Sequence, residues 1–144
     1  GIPYPIKPLM EAIIEASIDA ATADPRFPSV TLDELERSIV IEISILTPPQ
    51  EVKVSNPLDY PRHVKIGVDG LIVSKRMFNG LLLPQVALEW NMDSEEFLSN
   101  CCMKAGLTPD AWLTPDTKIS KFQALIFSEE TPRGKVKRVE HSEV

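Results

Sequence analysis

The chain has 144 residues, 43% of them hydrophobic and 25% charged, with a net charge of −6 at pH 7. That length suits one domain with a core of its own, and the composition excludes both a disordered chain and a helical membrane protein. The acidic balance speaks against broad electrostatic binding to nucleic acid, and no secretory signal opens the sequence, so a cytoplasmic location is expected.

From the N-terminus, Leu9, Ile13 and Ala16 or Ala20 recur at helical spacing, with Met10, Ile14 and Ile18 broadening the apolar stripe and Glu11, Glu15 and Asp19 forming a polar one. An amphipathic helix over residues 8–23, packed on a core and stopped at Asp24-Pro25, follows. Thr31-Leu32-Asp33-Glu34 is a capping box opening a short helical turn. Ile39, Ile41, Ile43 and Ile45 alternate with Val40, Glu42, Ser44 and Leu46, a period of two that predicts a half-buried strand ending at Pro48-Pro49.

Residues 50–62 read as loop, broken by Pro57 and Pro61. Val64–Val68, Leu71–Lys75 and Leu81–Leu83, separated by the turn signals Asp69-Gly70 and Asn79-Gly80, predict a three-stranded antiparallel meander. A short helix follows from Pro84 to Trp90. Asp93-Ser94-Glu95-Glu96 then caps a helix whose inner side carries Phe97, Leu98, Cys101, Cys102 and Ala105, with Gly106 just past its end. Thr108 to Trp112 reads as another helical turn, and Lys118 to Phe127 as one strand. The expected fold is α+β, a mostly antiparallel sheet with helices on one face. Residues 1–129 form the domain, and residues 130–144, with Lys135, Lys137 and Arg138, a charged and frayed tail.

Candidate chemistry is sparse. Phosphate loops, HExxH, nucleophile elbows and EF-hand loops are absent. Cys101 and Cys102 are adjacent, and with only His63 and His141 beside them nothing has zinc-ligand spacing. No metal and no cofactor is expected, and the thiols read as buried and structural in a reducing compartment. Gln85 follows an apolar run, where its amide needs either a backbone partner or a ligand. Trp90 and Trp112 read as core or cleft lining.

Asp24-Pro25-Arg26-Phe27-Pro28, Ile41 to Pro49, Gly80-Leu81-Leu82-Leu83-Pro84-Gln85-Val86-Ala87, Cys102 to Leu107, Asp110-Ala111-Trp112 and Phe122-Gln123-Ala124 occur in an order that resembles the AMMECR domain family, named after a chromosomal region linked to Alport syndrome, midface hypoplasia and elliptocytosis. The resemblance runs to about Phe127 and is identified with the C-terminal two-thirds of the family domain. It implies an α+β fold with a smaller second lobe and a cleft between the two. It also implies that the family's Leu-Arg-Gly-Cys-Ile-Gly segment, whose cysteine is the family's favoured catalytic candidate, would end at Gly1, so that this segment is missing here. The family has no established activity. Its members occur beside dioxygenase-like and radical S-adenosylmethionine domains, which implies a role in nucleotide or RNA modification. The positions expected to line the cleft are Arg26, Gln85 and Lys104, with His63 beside them; Arg26 and Lys104 suit an anion. Two functions are therefore expected: an enzyme or enzyme subunit acting on a nucleotide-containing substrate, or a non-catalytic domain that holds a partner or forms a homodimer.

Overall fold

The structure is a computed structural model, and it describes residues 1–140. The chain divides into two compact units, Gly1–Ile45 with Leu125–Glu140 and Leu46–Ala124. Helices and two sheets make the fold α+β, with strand orders β1-β6-β7 and β2-β5-β3-β4. The strands are β1 (Glu42–Leu46), β2 (Gln50–Glu51), β3 (Gly70–Lys75), β4 (Phe78–Leu82), β5 (Lys118–Phe122), β6 (Ala124–Glu129) and β7 (Val136–Val139). A single sheet was expected; among the described residues there are two.

In the first unit, α1 (Leu9–Thr22) follows Pro8, and α2 (Leu32–Arg37) opens on the expected capping box, in which Thr31 and Glu34 bond reciprocally. The packing of α1 departs from expectation. None of its residues is fully buried: Ala12, Ile13, Ala16, Ser17 and Ala21 are half-buried, whereas Met10, Ile14 and Ile18 face solvent. Strand β1 is shorter than the isoleucine alternation predicts, because Ile39 N–H still bonds Glu34 O and prolongs the α2 turn. The segment after Glu129, expected to fray, carries β7 instead. Glu130 N–H bonds Lys135 O across a turn containing Arg133 at φ 58°, and β7 then pairs antiparallel with β6. Charged side chains suit such an edge, where the backbone pairs and the side chains stay wet. Residues 141–144 of the expected tail, His141 among them, lie outside the described residues.

The second unit holds the core, built where α4 (Ser94–Lys104) lies on β3 and β4. Phe97, Leu98, Cys101 and Cys102 of α4 are fully buried together with Leu71, Val73 and Ile119. Asp93 caps α4 reciprocally with Glu96, as expected. At the far end Gly106, at φ +84°, occupies the left-handed position, while Leu107 N–H bonds Cys102 O and Gly106 N–H bonds Met103 O. That is the paired bonding of a Schellman stop.

Three expectations fail here for tertiary reasons. Val64–Val68 is not a strand, because a 3-10 segment (Pro57–His63) runs into a turn closed by Asp69 N–H on Lys65 O. The meander is therefore a hairpin, β3 against β4, turning at Arg76-Met77 with Arg76 at φ 56°. Gly80 is inside β4 rather than at a turn, and a Cβ there would meet Ala105 N at 2.5 Å. Finally, the predicted strand Lys118–Phe127 is two strands in two sheets. Thr47 intercepts the backbone between them: its N–H bonds Gln123 O, and its hydroxyl accepts from Gln123 N–H, both at 2.8 Å.

Candidate functional site

An open groove of about 440 Å³ lies in the second unit, lined by Leu82, Val86, Trp90, Met92, Asn100, Met103 and Lys104. Three pieces of chain place these residues. Strand β4 supplies Leu82 at its end. Helix α3 (Pro84–Glu89) begins on Pro84, a residue suited to the first helical position, and presents Val86. Helix α4 supplies Asn100, Met103 and Lys104 from its last turns. Between the helices Asn91 takes φ 51°, which turns the chain so that Trp90 stands 73% exposed and Met92 half-buried. The groove thus has an aromatic wall, flexible thioethers and a rim of one amide and one ammonium. Gly80 lets β4, which carries Leu82, approach the end of α4 closely.

Of the four predicted site residues, Lys104 lines this groove. Gln85 is half-buried in the first turn of α3 but is not among the lining residues. His63 is exposed at the end of the 3-10 segment, where its backbone carbonyl accepts from Lys121 Nζ at 2.8 Å. Arg26 belongs to the first unit. Its guanidinium grips Asp24 with Nε to Oδ1 at 3.0 Å and Nη2 to Oδ2 at 2.8 Å, and lies 5.4 Å from the Phe27 ring centroid. This fork holds the Asp24 carboxyl at about 2.

Both thiols lie in the core. Burial first, and the neighbouring Cys102 second, push the Cys101 thiol up to about 12, and its Sγ sits 3.5 Å from Leu71 O and Gly80 O. Burial also raises Cys102. A thiol held neutral in this way is a packing residue rather than a nucleophile. Among the described residues no group of three or more His, Cys, Asp and Glu side chains could hold a metal ion.

Two features escaped the sequence. Trp90 and Trp112 read alike, yet Trp112 is buried with Nε1 donating to Ser99 Oγ at 3.1 Å, and Trp90 is the exposed one. Asp69, read as a turn residue, is almost fully buried. Its Oδ2 accepts from Lys65 N–H at 2.9 Å, its Oδ1 accepts from Gln123 Nε2 at 2.6 Å, and Lys121 Nζ stands 3.7 Å away. An Asp beside Gly in a β-rich stretch signals a turn by local chemistry alone. Only the distant partners Lys121 and Gln123 turn it into a buried anchor.

The AMMECR1 family model matches residues 1–127. The match covers the N-terminal and central part of this chain, which corrects its description as a C-terminal two-thirds. Protein MJ0810 of Methanocaldococcus jannaschii is 57% identical over 136 residues, 94% of this chain and 67% of that protein. A protein of Methanothermobacter thermautotrophicus is 56% identical over 130 residues, 90% of this chain and 67% of its own length. The crystal structure of the uncharacterised protein PH0010 from Pyrococcus horikoshii superimposes with a TM-score of 0.94 at 55% identity, covering 96% of this chain and 68% of that one. The chain thus spans about two-thirds of the length of these relatives. No helix among the described residues is long and apolar enough to cross a membrane.

Proposed function

The chain belongs to the AMMECR1 family, and from that premise we propose that it is a recognition domain which seats a partner polypeptide in the groove between α3 and α4. The observation that carries this reading is Trp90, 73% exposed beside the 48% exposed Met103. Trp lining an apolar depression is a residue type that dominates interface energetics. The thioethers of Met92 and Met103 in the same lining adapt to varied apolar side chains. Lys104 and Asn100 at the rim call for an apolar anchor followed by a carboxylate, so the occupant is an acidic-apolar segment. The free, buried thiols support a cytoplasmic setting.

A second reading has one observation in its favour: an indole face and an ammonium in one groove also suit a nucleotide, with base stacking on Trp90 and phosphate on Lys104. On that reading the complete protein is an enzyme subunit in nucleotide or RNA modification. A selection of random 12-residue peptides on the protein separates the two. The recognition reading expects a motif with an apolar anchor and an Asp or Glu, and about a tenfold loss of affinity in Trp90→Ala. Selected peptides that bind Trp90→Ala unchanged would refute it. Quenching of Trp90 fluorescence by adenosine monophosphate, lost in Lys104→Ala, would put the nucleotide reading first. Self-association lost in Trp90→Ala would assign the groove to a homodimer instead.

A further inference from the structure

The chain contains one Asn-Gly pair, Asn79-Gly80, and the fold puts it inside β4 rather than in a turn. In such a pair the backbone nitrogen of the glycine can attack the amide carbon of the asparagine side chain, because no Cβ stands over that nitrogen. The N–Cγ bond forms and the Cγ–Nδ2 bond breaks. The proton of the attacking nitrogen leaves with the amide as ammonia, and a five-membered succinimide remains. Water then opens the ring at either carbonyl, giving aspartate or, as the major product, iso-aspartate. No oxidant, metal or cofactor enters the balance.

Two features of the fold act on that chemistry in opposite senses. Ser74 Oγ donates to Asn79 Oδ1 at 2.8 Å. A donor on this oxygen draws electron density from Cγ and steadies the oxyanion that forms as the nitrogen adds. The electrophile is therefore in place. The nucleophile is not. Ring closure needs the ψ angle of Asn79 on the negative side, whereas an antiparallel strand holds ψ at about +135° and turns the Gly80 nitrogen away from Cγ. Several contacts keep β4 extended. Asn79 and Gly80 stand opposite Ser74 and Val73 in the ladder with β3. Gly80 O lies 3.5 Å from Cys101 Sγ. Helix α4 packs on the Gly80 backbone itself, so closely that a Cβ there would lie 2.5 Å from Ala105 N. Val73 and Cys101 are fully buried, so the restraint belongs to the core and not to the hairpin tip. We propose that Asn79-Gly80 is a latent self-modification site, held closed by the seating of β4 on β3 and α4 and converted when that seat opens. Iso-aspartate adds a methylene to the backbone of β4 between these two residues. The register with β3 and the close approach to α4 then cannot both be restored, which makes the conversion a one-way change.

The test follows the intact 144-residue protein at mildly alkaline pH, folded and in guanidinium chloride, by mass spectrometry of its peptides. Conversion at Asn79 is expected to be at least about 100-fold slower in the folded protein, because it waits for an opening whose equilibrium constant multiplies the rate. Val73→Ala, which thins the buried ladder opposite Gly80, should speed conversion of the folded protein about tenfold and leave the rate in guanidinium unchanged. Urea below the unfolding midpoint should speed it in the parent as well, a measurement that needs no variant. Asn79→Gln should remove the conversion in both states. Parent protein converted in denaturant and then refolded should fall short of its original urea midpoint, whereas Asn79→Gln treated alike should regain its own. Folded protein converting as fast as in guanidinium, no acceleration in Val73→Ala or in dilute urea, conversion centred on Asn56, Asn91 or Asn100, or an original midpoint recovered after conversion would each overturn the proposal.

Discussion

Substituting Gly80 by alanine probes the close approach of β4 to α4 in the core of the second unit. A Cβ at this position lies 2.5 Å from Ala105 N, 2.8 Å from Cys101 O and 2.9 Å from Ala105 Cα. All three are backbone atoms, so no side chain can rotate away; α4 has to move off β4, loosening the seat of Cys101. Overpacking of a core costs about 1–3 kcal/mol, and a clash with backbone on three sides belongs at the upper end. Alanine returns about 0.4–1 kcal/mol by restricting the unfolded chain, which leaves a net loss of about 2 kcal/mol. With a urea slope of about 2 kcal/mol/M, the midpoint of unfolding should fall by about 1 M. Buried Trp112, hydrogen-bonded to Ser99, makes intrinsic fluorescence a probe of this unit, and a Trp90→Phe background removes the exposed indole from the signal. A Gly80→Ala midpoint within about 0.2 M of the parent would refute the close-approach reasoning.

Three further outcomes are expected. Asp69→Ala strips Lys65 N–H and Gln123 Nε2 of their acceptor; a loss of about 1–3 kcal/mol should appear in urea unfolding, and a neutral result would show that water replaces the carboxylate. With Cys101 raised from 9.0 to about 12, its contribution to stability is complete below pH 9 and is lost as pH rises towards 12; accordingly, neither buried thiol should react with a disulfide reagent at pH 8 until urea is added, and fast native labelling would contradict this. Asp24, lowered from 3.8 to about 2 by Arg26, stabilises its loop above pH 3.8 and loses that effect as pH falls through 2. Carboxyl chemical shifts should therefore titrate near 2, and in Arg26→Ala near the ordinary value; a parent midpoint near 4 would show the pair is not formed in solution.

Local signals in the sequence were reliable where the deciding interactions are themselves local. Both capping boxes form at Thr31 and Asp93, the inner face of α4 is the one its apolar spacing marks, and Gly106 ends the helix. The ordered motifs from Asp24 to Ala124 likewise sufficed for the family. The misses share one cause. Lys118–Phe127 alternates like a single strand, and nothing near Gln123 announces that Thr47, far earlier in the chain, will take its backbone N–H and carbonyl and divide the strand between two sheets. Asp69-Gly70 and Asn79-Gly80 are chemically apt for turns, but Asp69 is drawn inside by Gln123 and Lys121, and Gly80 is required for closeness to α4 rather than for a positive φ.

The candidate site divides the same way. Lys104, expected at a cleft from the family resemblance, lines the groove, whereas Trp90 did not stand out, since one indole looks like the other until Asn91 turns Trp90 outward and the core takes in Trp112. Periodicity and capping are properties of a few consecutive residues, and so the sequence by itself determined where helices begin, which face of α4 is apolar and which family the chain joins. Burial is a property of what other segments bring to a position. Only the tertiary structure could decide that Asp69 is an anchor, that Ile14 and Ile18 of α1 stand in solvent while Ile13 is half-buried, and that a groove opens beside Trp90.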